Sequence, residues 1–208
     1  MNENELARVV AAIGSLFGNP YYHWNRGSAI FQNNLSGREN ETLNMRRIDQ
    51  PDPLHTDTLN PLGDGENYCV FGCVKREFCL GGESELLHID DWSDLPKFCN
   101  SHLATQKLEM KLGDPEFAAL HLTRAVFSGA DSEQSICWSP RNYVAANDKQ
   151  QEWLKELTHS LKYQNRTYSS VLHPGQILAF SNKRWLHGRS PIKRDTNAEC
   201  RLIAVHVS

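Results

Sequence analysis

Two short segments far apart in the chain carry residue types that bind transition metals. The first is Leu54-His55-Thr56-Asp57, at the end of a run that is typical of a β-strand. Because side chains alternate between the two faces of a strand, His55 and Asp57 project to the same side and can bind one ion. An imidazole and a carboxylate arranged in this way supply two ligands of the 2-His-1-carboxylate triad that holds non-haem Fe(II). The pair predicts a metal site that needs one further ligand.

The second segment begins at a Pro174-Gly175 turn and continues through an apolar run to Leu186-His187-Gly188-Arg189. An apolar stretch from Arg201 to Val207 follows and predicts a last strand. A second His-x-Asp sequence, His88-Ile89-Asp90, shows that the first motif by itself has limited specificity. The order and spacing of both segments are therefore the stronger evidence.

Together these segments resemble the Fe(II)/2-oxoglutarate-dependent dioxygenases of the taurine dioxygenase and clavaminate synthase-like group. In that family a Pro-Gly turn leads into a hydrophobic strand, and an Asn-x-x-x-Leu-His-Gly-Arg segment supplies the distal iron ligand. This chain has that segment from Asn182 to Arg189, and the resemblance covers roughly residues 50 to 207. The resemblance implies that His55, Asp57 and His187 are the three iron ligands.

The resemblance also implies that the protein uses Fe(II), 2-oxoglutarate as cosubstrate, and dioxygen. In the family, an Arg about a dozen residues after the distal His binds the cosubstrate, and Arg201 matches it here. A hydroxyl residue in a Gly-Gly-Glu/Asp-Thr/Ser element assists, and Ser84 in Gly81-Gly82-Glu83-Ser84 matches that role. A guanidinium entering an apolar strand needs a partner, and a carboxylate can accept two parallel hydrogen bonds from it. The second Arg that often follows is replaced by Val205, so an anionic substrate held by that residue is not implied.

Two further arginines are candidate substrate contacts. Arg189 lies two residues after His187 and shares its face if the strand continues, although it could equally pair with a neighbouring acid. Arg141 follows Trp138-Ser139-Pro140 in a predicted loop or edge strand, where a solvated side chain is the more common outcome. The comparison with the family also argues against a metal role for His88-Ile89-Asp90. This segment precedes a helix start, and we expect its acids to cap a helix or lie at the surface.

The pattern of elements predicts a mainly β fold with packed helices. Short strands around a few helices, together with the resemblance, indicate a distorted double-stranded β-helix, a jelly-roll or cupin-like core with the iron at one open end. Apolar positions every three or four residues predict a helix over 5–17, and Asp148 with Gln151 predicts a capping box for a second helix. The segment 21–47 is read as an ordinary surface loop or a lid over the substrate.

Length and composition limit the class of protein. At 208 residues we expect one domain over 1–208, and a net charge of -3 without Lys/Arg runs argues against nucleic acid and anionic membranes as partners. The chain has no apolar segment of about 20 residues, and Glu3 and Glu5 stand where a secretory signal is basic, so we expect a soluble cytoplasmic protein. The six Cys show no C-x-x-C pair and are interpreted as buried reduced thiols.

The predicted activity is oxidation of an unactivated C–H bond of a small molecule, with release of succinate and CO2. Hydroxylation is the expected outcome, with desaturation or cyclisation also open, and free or carrier-bound amino acids are candidate substrates. Chlorination is not expected, because Asp57 fills the ligand position that halogenating relatives leave open. Two alternatives remain: a zinc-dependent hydrolase using the same ligands, which gives Arg201 and Ser84 no role, and a non-catalytic cupin-like metal-binding protein.

Overall fold

The computed structural model describes residues 1–21, 28–34, 49–57, 67–111, 121–129 and 133–208. The helices are α1 (Glu3–Phe17), α2 (Leu95–Cys99) and α3 (Asp148–Tyr163), with a 3₁₀-helix at Ile89–Asp91. The strands are β1 (Ile30–Asn34), β2 (Asp52–His55), β3 (Tyr68–Gly81), β4 (Ser84–His88), β5 (Leu108–Met110), β6 (Leu122–Arg124), β7 (Phe127–Ser128), β8 (Ser135–Ile136), β9 (Tyr143–Val144), β10 (Tyr168–Ser170), β11 (Ile177–Ser181), β12 (Trp185–Arg189) and β13 (Ile192–Val207). Most of the candidate lid at 21–47 lies outside the described residues.

Two four-stranded antiparallel sheets form the centre of the fold. The first has the strand order β1-β13-β3-β11 and the second has the order β10-β4-β12-β2. Their inner faces meet, because Phe71 on β3 and Phe180 on β11 contact the ring of His187 on β12. Sequentially distant strands are neighbours in both sheets, as a jelly-roll requires. The fold is therefore the mainly β double-stranded β-helix that the sequence predicts.

Helix α1 covers the outer face of the first sheet. It starts with a capping box in which the Asn2 side chain accepts from the Glu5 backbone N–H and the Glu5 side chain accepts from that of Asn2. Its buried side chains Leu6 and Val10 pack in one cluster with apolar residues of β3 and β13. The predicted helix over 5–17 is thus present and begins two residues earlier.

The largest apolar cluster covers the outer face of the second sheet. Trp153, Leu157 and Leu161 of α3 pack there against aromatic residues of the α2 region. The predicted capping box at Asp148 is wrong by one residue, since Asn147 caps α3 and its side chain accepts from the Gln150 backbone N–H. Among the described residues, no helix combines the length and apolar character needed to cross a membrane.

Candidate metal centre

Strands β2 and β12 place two imidazoles side by side. His55 and His187 are direct cross-strand partners, and their ring centroids lie 4.3 Å apart. Leu54 and Leu186, one position before each His, are buried in the outer apolar cluster, so alternation turns both imidazoles toward the space between the sheets. Gly188 allows this pairing, because a Cβ there would lie 2.6 Å from the backbone oxygen of Asp52.

Asp57 joins the two histidines two residues beyond His55. One carboxylate oxygen lies 3.6 Å from His55 Nε2, and the other lies 3.5 Å from His187 Nε2. His55 Nδ1 is 2.8 Å from the Pro53 carbonyl, which can only accept, so this nitrogen carries the proton. The resulting tautomer presents the Nε2 lone pair to the cluster, as a metal-binding histidine must.

The backbone around Asp57 is fixed by bonds to two distant segments. The buried Asn182 side chain accepts from the Asp57 N–H at 2.9 Å and donates to the Asp57 carbonyl at 2.9 Å. Between the two candidate ligands, Thr56 N–H donates to the Trp138 carbonyl and the Thr56 hydroxyl accepts from Trp138 N–H. These bonds fix the backbone of Thr56 and Asp57 without the help of a bound ion.

Two buried residues that sequence reasoning missed complete the surroundings of Asp57. His206 on β13 is fully buried, and its Nε2 lies 2.8 Å from a carboxylate oxygen of Asp57. Cys69 on β3 is its cross-strand partner, with its sulfur 3.7 Å from the same oxygen. Neither residue belongs to a short motif, and the one available signal was a polar residue on the apolar last strand.

The environment favours an ionised Asp57. Burial would raise the pKa of Asp57, but the charge of His187 and hydrogen bonds from His206 and His55 hold that pKa well below its usual value. The carboxylate is therefore charged at neutral pH and suited to bind a cation.

The donor set fits a divalent transition metal. The ligand atoms of His55, Asp57 and His187 all lie within 4.8 Å of one another, close enough for one ion to reach all three. Two imidazole nitrogens and one carboxylate oxygen match the set that holds Fe(II), and three protein ligands leave positions for small molecules. The structure thus brings together the three residues that the sequence predicted as ligands, and their role as ligands stays a prediction.

Ser84 and Arg189 lie next to this cluster. They are direct cross-strand partners on β4 and β12, two positions along from the pair formed by Leu86 and His187. Leu86 packs between the sheets, so alternation places Ser84 and Arg189 on the same inner face. Arg189 is half-buried and donates to the Ser190 carbonyl at 2.8 Å.

The structure does not bring Arg201 to the cluster. Its guanidinium lies 3.0 Å from Glu3 on α1 and 3.5 Å from Glu199, on the side of β13 that faces α1. Arg201 lies on the same face of β13 as Ile203 and Val205, which pack in the cluster with α1, whereas His206 lies on the opposite, inner face. This placement gives no support to the predicted contact between Arg201 and the cosubstrate.

The remaining sequence candidates lie apart from the cluster. Arg141 is exposed on the turn that follows Trp138, so its substrate role has no support from a contact. His88 caps the 3₁₀-helix by accepting from the Asp90 backbone N–H, and Arg184 forms an ion pair with Asp90. Asp90 of the second His-x-Asp sequence thus lies at the surface as expected, while the cap is the imidazole of His88 and not an acid.

A family model described as CsiD matches residues 1–206 of the chain. Among curated proteins, a glutarate 2-hydroxylase from Citrobacter koseri is 22% identical over 187 residues, which is 89% of this chain and 57% of the relative. A glutarate 2-hydroxylase from Salmonella paratyphi B is 23% identical over 186 residues, again 89% of this chain and 57% of the relative. The chain thus spans a little more than half the length of the curated relatives it matches.

Two solved structures share the fold. The non-heme iron oxygenase OrfP, in complex with Fe and alpha-ketoglutaric acid, superposes with a TM-score of 0.71 at 14% identity, covering 97% of this chain and 63% of the other. An asparagine oxygenase, in complex with Fe(II), 3-hydroxyasparagine and succinate, gives a TM-score of 0.74 at 14% identity, covering 96% and 63%. The predicted cupin-like fold is confirmed by this likeness.

Proposed function

The chain belongs to the CsiD family, and from this premise we propose that it is an Fe(II)- and 2-oxoglutarate-dependent oxygenase that hydroxylates a C–H bond of a small molecule. The observation that carries the proposal is the cluster of His55, Asp57 and His187 between the two sheets. The activity named for the curated relatives, glutarate 2-hydroxylase, supports hydroxylation over the zinc-hydrolase and storage alternatives.

In this proposal the three clustered residues hold the iron and the fold keeps them in place. Bound iron together with 2-oxoglutarate and dioxygen supplies the oxidising chemistry. The protein contributes a protonated Nδ1 on His55 that directs Nε2 to the metal, and an ionised Asp57. Phe71 and Phe180 line the His187 ring with apolar surface and reduce the access of water there.

For the distal carboxylate of 2-oxoglutarate we propose contacts from Ser84 and one guanidinium. The resemblance assigns the guanidinium to Arg201, whereas the described geometry places Arg189 opposite Ser84. The ion pairs of Arg201 with Glu3 and Glu199 are partly exposed, and such pairs are worth only about 0–1 kcal/mol each. Because the resemblance and the geometry point to different arginines, a direct comparison of the two is the relevant test.

The substrate we propose is a small carboxylate or amino acid. Glutarate is the substrate named for the curated relatives, and the structural neighbours carry asparagine- and arginine-derived ligands. If Arg201 serves the cosubstrate, Arg189 is the better placed of the two to contact a substrate carboxylate, because Arg201 lies on the α1 side of β13. Arg141 is the weaker candidate, since its side chain is exposed.

Two measurements test the oxygenase proposal. Anaerobic addition of Fe(II) and then 2-oxoglutarate should produce a visible charge-transfer band, which Zn(II) cannot give because its d shell is filled. Succinate release should then be screened with glutarate, free amino acids and carrier-bound amino acids. An iron-loaded protein that shows no such band and releases no succinate would contradict the proposal.

A further inference from the structure

His206 connects the two sheets at the candidate metal centre. It lies on β13 of the first sheet, whereas His55 and His187 lie on β2 and β12 of the second. It is 0% exposed, and a buried polar ring is usually held by a specific hydrogen bond. Its Nε2 lies 2.8 Å from Asp57 Oδ2, a normal hydrogen-bond distance.

The direction of this bond follows from the chemistry of the two groups. An ionised carboxylate can only accept hydrogen bonds, and a carboxylate binds a metal in its deprotonated form. His206 therefore donates its Nε2–H to Asp57. Asn182 holds the backbone of the same residue through two bonds of 2.9 Å, so Asp57 is fixed both at its main chain and at its carboxylate.

A carboxylate fixed in this way has fewer coordination modes open to it when it binds a metal. An unrestrained Asp can rotate and offer both oxygens to one ion, which would occupy a further coordination position. A hydrogen bond to Oδ2 ties up a lone pair of that oxygen and sets the plane of the carboxylate. Such restraint matters most where open positions are needed for small molecules.

We propose that His206 is a positioning residue that restrains Asp57 to one-oxygen coordination and so preserves the open positions of the metal. The inference rests on the proposed function, because it assumes that Asp57 is a metal ligand. In this role His206 acts through Asp57 and is not itself a ligand. Ligands from one sheet are thus held in register by a residue from the other.

The test compares two replacements of His206 with a control replacement of its cross-strand partner Cys69. His206→Leu removes the donor at similar volume, His206→Gln keeps an N–H donor, and Cys69→Ala removes the other group near the same oxygen, at 3.7 Å. Fe(II) affinity is measured anaerobically by competition with a chelator, and metal-free melting is recorded for each variant. Losing a bond to a metal ligand lowers affinity by about 10–100-fold. We expect that loss for His206→Leu, substantial recovery for His206→Gln, and a change below about threefold for Cys69→Ala, since thiols are weak donors.

Other results would overturn the inference. The role is excluded if His206→Leu binds Fe(II) with wild-type affinity, or if its loss in affinity only parallels a loss of metal-free folding. Co(II) gives a second readout, because Asp57, Cys69 and His206 also lie within 4.8 Å of one another. A thiolate-to-cobalt band that disappears in Cys69→Ala would make His206 a ligand in a second set and not a positioning residue.

The two proposals fail in different ways. Wild-type protein that binds Fe(II) but forms no band with 2-oxoglutarate contradicts the oxygenase proposal, while the affinities of the His206 variants still decide the positioning role. Wild-type protein that binds no Fe(II) contradicts both.

Discussion

At the scale of single residues, two His-x-Asp motifs with the same spacing have different surroundings. His55-Thr56-Asp57 and His88-Ile89-Asp90 have the same spacing, but only the first lies between the sheets beside His187. The Asp90 side chain is 60% exposed and is paired with Arg184, whereas that of Asp57 is 15% exposed and surrounded by imidazoles. Burial and neighbours, more than spacing, therefore distinguish a ligand pair from a cap.

The first prediction tests the first motif and uses the second motif as its control. His55→Ala should abolish Fe(II) binding and succinate release, because two ligands hold the ion far less well than three. His88→Ala should leave both within about threefold of wild type, since it removes only a local cap and a weak ion pair. Equilibrium dialysis of Fe(II) under nitrogen measures the difference. Equal losses in both variants would contradict the assignment.

A second prediction concerns the thiol of Cys73 on β3. Burial raises the pKa of Cys73 to about 11, so at pH 8 the reactive thiolate is about a thousandth of the total. Native protein treated with iodoacetamide at that pH should retain an unmodified Cys73, whereas unfolded protein should be alkylated there. Peptide mass spectrometry after proteolysis gives the comparison. Rapid modification of Cys73 in the native state would show that its environment is more open than described.

These residues also show what the sequence could and could not predict. His55, Asp57 and His187 were identifiable because strand alternation and a short motif are both local features. His206 was not, because its partner Asp57 lies 149 residues away and the contact arises from the packing of two sheets. The helix cap at Asn147 in place of Asp148 is a smaller case, since adjacent residues of similar capping strength cannot be ranked from a pattern.

At the scale of elements, the pairing of β2 with β12 sets the distance between the candidate ligands. A Cβ at Gly188 would meet the backbone of Asp52 at 2.6 Å, and a backbone contact has little freedom to adjust. Gly72 on β3 is an instructive contrast, because a Cβ there would meet the Val10 side chain at 2.7 Å on the far side of the first sheet. Gly188 thus permits the close pairing of β2 with β12 at the site, and Gly72 permits the close packing of α1 on β3.

The third prediction follows from that contrast. Gly188→Ala and Gly72→Ala should each lower the free energy of unfolding by about 1–3 kcal/mol, the usual cost of overpacking. Gly188→Ala should also weaken Fe(II) binding, because it pushes β2 away from β12, whereas folded Gly72→Ala should keep wild-type Fe(II) affinity. Urea unfolding and metal titration separate the two effects. Unchanged Fe(II) affinity in Gly188→Ala would show that the site tolerates a shift of β2.

The register shift between Arg201 and Leu202 is the second feature at this scale. The extra residue at this shift belongs to β3, so β13 keeps its alternation and Arg201 shares the face of Ile203 and Val205, which pack against α1. Which face of a strand packs against a helix depends on long-range contacts, and no local pattern in the sequence reports it. The predicted position of Arg201 was therefore the least secure part of the site. The predicted strand from Arg201 to Val207 is present, because its apolar run is a local feature, but β13 begins nine residues earlier at Ile192.

The fourth prediction compares the two arginines directly. If Arg189 and Ser84 bind 2-oxoglutarate as their pairing suggests, Arg189→Met should weaken cosubstrate binding about a hundredfold or more, since two charge-assisted bonds contribute about 1.5–3 kcal/mol each. Arg201→Ala should then change that affinity by less than threefold. Its main effect should be on the packing of α1, because the ion pair with Glu3 is lost. Titration of 2-oxoglutarate into anaerobic Fe(II)-loaded variants decides. The reverse result would restore the role that the resemblance assigns to Arg201. Both variants should bind iron normally, because neither residue is among the three proposed ligands.

At the scale of the whole molecule, the site lies where two sheets meet and depends on both. The candidate ligands belong to the second sheet and the segment after β2, while His206, Cys69 and Phe71 come from the first. Helix α1 supports one sheet from outside, and the cluster around α3 supports the other. A metal that binds this arrangement binds the folded chain and not the unfolded one.

The last prediction follows from that linkage. Fe(II) at a concentration 100 times its dissociation constant should stabilise the fold by about 2.7 kcal/mol, because only the native state holds the three ligands together. For a chain of this size each kcal/mol corresponds to roughly 2–4 °C, so anaerobic Fe(II) should raise the melting temperature by about 5–10 °C. The rise should disappear in His187→Ala and persist in His173→Ala, where an exposed turn histidine far from the cluster is removed. A rise retained in His187→Ala would place the stabilising ion elsewhere, whereas its loss would tie the stability of the joined sheets to the same three residues that are proposed to do the chemistry.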